Sequence, residues 1–216
     1  MNERLVWIDC EMTGLDYVAD ALIEIACVVT DFDLNPLGDG VDLVIKPPAE
    51  ALEQMDPFVR TMHERSGLLT VLDAGITLEE AEQQVLAYVR THCPDGSRPP
   101  LAGNTVGTDR AFISRDMKEL DAFLHYRIVD VSSIKELSRR WVPRAYFAAP
   151  AKRGNHRALA DILESIEELR YYRATVFVPS PGPDSAEAKL LADEHGGSLT
   201  GLTHGSADGP DTGTPG

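Results

Sequence analysis

The chain reads as an α/β protein, a mixed five-stranded sheet flanked by helices. Three observations predict this. The 216 residues are 43% apolar and 25% charged, an ordinary globular balance with enough apolar mass for a sizeable core. The N-terminal stretch up to Ile45 holds three β-rich runs separated by turn signals, as in a hairpin meander. Beyond it, helical periodicity alternates with two short apolar runs.

Taken in order, Leu5 to Cys10 is a short apolar run, and Leu22 to Phe32 (LIEIACVVTDF) is a longer β-branched one. Asp33-Leu34-Asn35-Pro36 supplies a turn, and Val41 to Ile45 alternates as a third strand, so the first three strands form an antiparallel meander. Pro57 after Asp56 opens a short helix at its first position. Thr77, with Glu80 three residues on, has the capping-box pattern and starts a helix to about His92. Pro99 to Gly103 is a fourth strand, Asp109 to Leu120 a helix, and Arg127 to Val131 a fifth strand. Ser132 or Ser133 then caps a helix to about Trp141, and a last helix spans about Arg157 to Ala174.

Residues 179–216 differ from the rest. They are rich in Gly, Pro, Ser, Thr and Asp and lack aromatic residues, a composition that cannot offset its ordering entropy by burial. This segment reads as a disordered acidic tail, with at most a transient helix over Ser185 to His195. It carries a net charge of −5, leaving −10 on residues 1–178, so most of the acidity belongs to the body.

The total charge of −15 argues against a protein that coats nucleic acid by neutralising phosphates, but not against a compact site where metal ions supply the positive charge. Three cysteines without CxxC spacing exclude a disulfide framework and predict a reduced, cytoplasmic protein. The N-terminus lacks a signal-peptide pattern, and no apolar run is long enough to span a membrane.

Three short stretches carry chemistry. Asp9 and Glu11 stand two apart at the end of a strand, so both side chains leave one face. Enclosed by Trp7-Ile8 and Met12-Thr13-Gly14-Leu15, such a pair requires a raised pKa or a shared cation, and hard divalent ions suit carboxylate oxygens. Gly103-Asn104-Thr105-Val106-Gly107-Thr108-Asp109 leaves a strand through small residues and starts a helix near an acid, where backbone N–H groups can approach a phosphate. In His156-Arg157-Ala158-Leu159-Ala160-Asp161 the two end residues would point about 140° apart on one regular helix, which places His156 in the preceding loop and Asp161 inside the helix.

In this order, four carboxylates and a histidine resemble the exonucleases of the DEDD superfamily, in the subclass whose last motif carries a histidine. The stretches WIDCEMTGL, GNTVGTDRAFISRDM, HYRIVDVSSIKELSRRW and HRALADILESIEELRYYR are similar to the oligoribonuclease family, over residues from about 4 to 178. The resemblance implies a ribonuclease H-like fold for an exonuclease domain over 1–178, and a 3′-to-5′ exoribonuclease that converts very short oligoribonucleotides to nucleoside 5′-monophosphates. It implies that Asp9, Glu11, Asp109 and Asp161 hold two divalent ions, Mg²⁺ or Mn²⁺, and that His156 is the general base.

For the substrate it implies that Leu15 wedges against the terminal bases, that Phe58 stacks on a base where the family usually has Trp, and that His63 sits near the scissile nucleotide. Thr105, Arg127 and Ser132 would cap the 5′ phosphate, Thr105 standing in for the usual Ser and Thr108 for a Gln. Tyr126 would reach into the partner's site of a homodimer. The arginines and lysine at 139, 140, 144, 152, 153 and 157 form the basic region of an acidic chain and read as a funnel for an anionic substrate near His156.

Asp9-Cys10-Glu11-Met12-Thr13 also resembles the D-x-D-x-T motif of the haloacid dehalogenase superfamily. The second acid is Glu here, however, and no later Lys followed by a Gly-Asp motif is evident. Two rival functions stay open, a DNA-directed exonuclease of the same fold and a non-catalytic RNA-binding domain. The presence of all five catalytic-type residues argues against the second.

Overall fold

The computed structural model describes residues 4–94, 96–151 and 156–197. The chain divides into two compact units, Met1–Val176 and Phe177–Gly216.

The first unit is built on a five-stranded sheet of order β3-β2-β1-β4-β5. Its strands are β1 (Arg4–Met12), β2 (Leu22–Asp31), β3 (Val41–Val44), β4 (Leu101–Gly103) and β5 (Ile128–Asp130). The pairs β1/β2 and β2/β3 are antiparallel, the expected meander, whereas β1/β4 and β4/β5 are parallel. The first strand runs past Cys10 to Met12, with a register shift after Glu11.

Helices α1 (Ala49–Glu53) and α2 (Pro57–Arg65) follow the meander, then α3 (Leu78–His92). The expected cap of α3 is present: Thr77 and Glu80 exchange both bonds of a capping box. The expected Asp109–Leu120 helix is instead two, α4 (Gly107–Asp116) and α5 (Lys118–Phe123). The chain breaks at Met117, whose side chain is fully buried, and Glu82 of α3 accepts the N–H groups of Glu119 and Leu120 at 2.7 and 3.1 Å. A cap from a distant helix overrides the local propensity to continue.

Helix α6 (Val131–Trp141) is capped by Asp130, whose carboxylate accepts the Ser132 N–H at 2.9 Å. Ser132 and Ser133 therefore lie inside the helix rather than capping it, as the stronger acceptor takes the cap position. Helix α7 (Pro143–Phe147) starts on a proline, and α8 (Ala158–Thr175) closes the unit.

Alternation along β1 and β2 sorts the core into two layers. Val6, Ile8, Cys10, Ile25 and Cys27 face one side and pack with Val85, Leu86 and Phe112. Leu5, Trp7, Ala26 and Val28 face the other and pack with Ile162, Ile166 and Tyr172 of α8. Asp9 and Glu11 continue the Leu5–Trp7 row, and Glu24 continues the Ala26–Val28 row. All three acids therefore project toward the α8 side.

Within the second unit, α9 (Ser185–His195) has the bounds at which the composition allowed a short helix, and Asp184 and Glu187 form its capping box. The expectation of disorder for 198–216 lies outside the described residues. No described helix is long and apolar enough to cross a membrane.

Candidate active site

The site lies at the C-terminal ends of the parallel strands β1, β4 and β5, the edge where α/β sheets place their ligands. Strand β4 is short and pairs with β1 only at Val6 and Trp7. Beyond that, β1 has an unpaired edge, and α4 fills it: the Cys10 N–H donates to Asp109 Oδ1 at 2.9 Å. Asp109 is thereby fixed beside the Asp9–Glu11 row. Gly103 permits the approach, because a Cβ there would stand 3.1 Å from the Ile8 carbonyl oxygen.

From the other side, α8 brings in Asp161, and His156 precedes that helix in the left-handed region at φ 48°. The histidine thus sits outside the helix, as its spacing from Asp161 requires. Ligand atoms of Glu11, His156 and Asp161 all lie within 4.8 Å of one another. Glu11 is buried, Asp161 half-buried and His156 exposed. Asp9 and Asp109 stand outside that group of three, but Asp109 lies close enough to Glu11 to raise its pKa.

The electrostatics are those of a crowded anionic cleft. Burial, then Asp161, Glu24 and Asp109, push the Glu11 carboxyl from its ordinary 4.5 up to about 8, and Arg157 partly opposes them. Burial raises Asp109 to about 7, with the Cys10 N–H pulling the other way. Desolvated carboxylates that repel one another offer hard oxygen donors, which fits divalent cations.

His63 has no exposed surface. Its Nε2 is 2.9 Å from the Met12 carbonyl, which can only accept, so the ring carries its proton there. Nδ1 then turns a lone pair toward Glu11 Oε2 at 3.9 Å. Burial lowers the His63 pKa, which keeps the ring neutral. Its contacts are with Glu11 and Met12, behind the acid cluster.

Leu15 and Phe58 are 70% and 78% exposed, so neither belongs to the core. The loop bearing Leu15 is held from below. Asp20 accepts from Thr13 Oγ1 at 2.8 Å and the Asp16 N–H at 2.9 Å, and Arg115 donates to the carbonyls of Tyr17 and Asp20. A Cβ at position 14 would stand 2.3 Å from the Asp20 carboxylate, so a larger residue there would have to displace the group that holds the loop.

Thr105 and Ser132 come together beside Asp130. The Thr105 N–H, at φ 55°, reaches Asp130 Oδ1 at 3.0 Å and Ser132 Oγ at 3.2 Å, and Ser132 Oγ donates to Asp130 at 2.6 Å. Tyr126 is 74% exposed rather than packed before β5, and the Arg127 guanidinium lies 5.5 Å from its ring centre.

The basic funnel is corrected in part. Arg157 is not a free cation: its guanidinium bonds Glu24 Oε1 at 2.6 and 2.7 Å. Arg140 pairs with Glu136 one helical turn earlier. Lys152 and Arg153 lie outside the described residues. Sequence reasoning missed Glu24 and Asp130. An acid inside the buried alternation of LIEIACVV was the available signal for Glu24; Asp130, directly before Val131-Ser132, was the signal for the α6 cap.

In fold, the chain resembles E. coli exonuclease I in complex with a DNA oligonucleotide, with a TM-score of 0.63 at 14% identity over 82% of this chain and 42% of that one. It is equally similar to an exonuclease I from Methylocaldum szegediense, with a TM-score of 0.62 at 20% identity over 80% and 41%. Residues 6–169 match the sequence profile of the RNase T exonucleases. An oligoribonuclease of Streptomyces griseus is 66% identical over 192 residues, 89% of this chain and 96% of the relative. One of Cutibacterium acnes is 58% identical over 91% and 98%. Fold and site define a DEDD-type exonuclease, a class that implies divalent metal ions. The chain belongs to the oligoribonuclease family.

Proposed function

We propose that this 3′-to-5′ exoribonuclease, which degrades short oligoribonucleotides, works on substrates down to two residues and releases nucleoside 5′-monophosphates. Asp9, Glu11, Asp109 and Asp161 would hold two divalent ions, Mg²⁺ or Mn²⁺. When bound, such a pair stabilises the attacking and leaving oxygens of an in-line displacement. His156 takes the proton from the attacking water at a ring nitrogen and, being exposed, passes it to solvent. The observation that carries this reading is the convergence of Glu11, Asp161 and His156 within 4.8 Å.

Around that centre, Leu15 wedges against the terminal bases and Phe58 stacks on one of them, both being exposed apolar groups. His63, wholly buried against Glu11 and Met12, would act on the scissile nucleotide through Glu11 rather than by touching it. Thr105, Ser132 and Arg127 cap the 5′ phosphate, and Asp130 orients the two hydroxyl-bearing residues. The exposed Tyr126 reaches into the site of a second copy, which makes the homodimer the working unit. Three free, buried thiols fit a reducing, cytoplasmic setting. Residues 1–178 are the exonuclease domain and 179–216 an appendage.

Product analysis tests the reading. A 5′-labelled two-residue RNA should yield nucleoside 5′-monophosphates with Mg²⁺ and nothing with chelator. A clear preference for long single-stranded DNA, or phosphate release from a simple phosphomonoester, would overturn it.

A further inference from the structure

Glu24 is fully buried on β2, directly opposite Glu11 in the β1/β2 register. A buried carboxylate needs partners, and both of its oxygens have one. Oε1 takes the Arg157 guanidinium at 2.6 and 2.7 Å, and Oε2 accepts the Ala158 N–H at 3.0 Å. The acid therefore grips two successive residues, the N-cap and first residue of α8, immediately after His156. The arginine also lies 3.9 Å from Asp42 on β3, so the grip is tied to two strands of the sheet.

His156 itself is exposed and adopts a left-handed backbone conformation, φ 48°, which a non-glycine residue keeps only where its surroundings impose it. The β2 carboxylate supplies such a constraint on its C-terminal side. We propose that Glu24, through Arg157 and the Ala158 N–H, is a positioning residue that holds His156 in register with Glu11 and Asp161. This goes further than a structural ion pair, because the bonds end one and two residues from the histidine rather than elsewhere on the helix. It rests on His156 acting as the general base of the reaction.

A double-mutant cycle tests it. The enzyme is assayed on a two-residue RNA at saturating Mg²⁺, with circular dichroism and Tm recorded for each variant. Glu24→Gln keeps the shape and loses the charge. Arg157→Lys keeps the charge and loses the fork, and it serves the same purpose if the glutamine variant is unstable. Either should lower kcat at least about tenfold, with KM within about threefold, since misplacement of a catalytic group by an ångström costs on the order of 100-fold. In the His156→Ala background the same change should cost less than about threefold more, because groups that act as a unit are not additive.

A full additional loss in that background, or more than half of wild-type kcat in the folded single variants, overturns the proposal. Failure of both variants to fold assigns the pair a purely structural role and overturns it equally. The two readings fail separately: a fully active His156→Ala enzyme removes the role of His156, whereas an additive cycle on an impaired one removes only that of Glu24.

Discussion

Metal binding should expel protons, and the amount follows from the site. Without metal, Glu11 titrates at about 8 and Asp109 at about 7 because both are desolvated among other acids. At about pH 7 the first is roughly nine-tenths protonated and the second roughly half. A ligand must be deprotonated to coordinate, so loading the site at that pH should release about 1.4 protons. By about pH 9 the same groups are almost fully ionised and release should fall to about 0.1. Isothermal titration with Mn²⁺ in buffers of different ionisation enthalpy reads this number directly as the slope of observed enthalpy against buffer enthalpy. Asp109→Asn should reduce the slope by about 0.5 or more. A slope indistinguishable from zero at about pH 7 would show that these carboxyls are already ionised or are not ligands, and the electrostatic account would be wrong.

The same groups set the pH dependence of metal-free stability. Their folded pKa values lie above the unfolded ones, so the folded state holds the extra protons and stability falls as pH rises from about 5 to about 8. Glu11→Gln should flatten that slope, and thermal melts in chelator across the range check it; a Tm that rises over this interval contradicts the sign. His156→Ala should lower kcat about 10²- to 10⁴-fold while leaving Mn²⁺ affinity within a few-fold; an unchanged acidic limb of the pH–rate profile would count against the base. If Tyr126 serves the partner's site, mixing Tyr126→Ala with Asp109→Ala should restore activity, since one site of a mixed dimer carries both lesions and the other neither. Subunit exchange without recovery would place the tyrosine's action within its own chain, or nowhere.

Local patterns were legible because local physics sets them. The period-2 alternation of the first three strands, the Thr77–Glu80 capping box and the shared face of Asp9 and Glu11 need only neighbouring residues, and each appears in the structure. The placement of His156 outside α8 followed from helical geometry alone. What escaped were partners far apart in sequence. Met117 breaks a helix that its own segment would continue, because Glu82 captures the next helix. Arg157 reads as a surface cation until β2 presents Glu24 to it, 133 residues away. His63 gives no sign in its own helix of being wholly buried against Met12 and Glu11. The candidate acids were readable as a motif, whereas the bonds that hold them in place come from the packing of α4 and α8 on the sheet.

The central claim is that carboxylates converging from β1, α4 and α8 carry a metal-dependent hydrolysis. The most direct test is the kcat of Asp161→Ala on a two-residue RNA at saturating Mg²⁺, in protein whose circular dichroism matches the wild type. The account predicts a loss of at least about a thousandfold, more than about 4 kcal/mol of transition-state stabilisation. A variant that keeps more than about a tenth of wild-type kcat, a loss under about 1.4 kcal/mol, would contradict it.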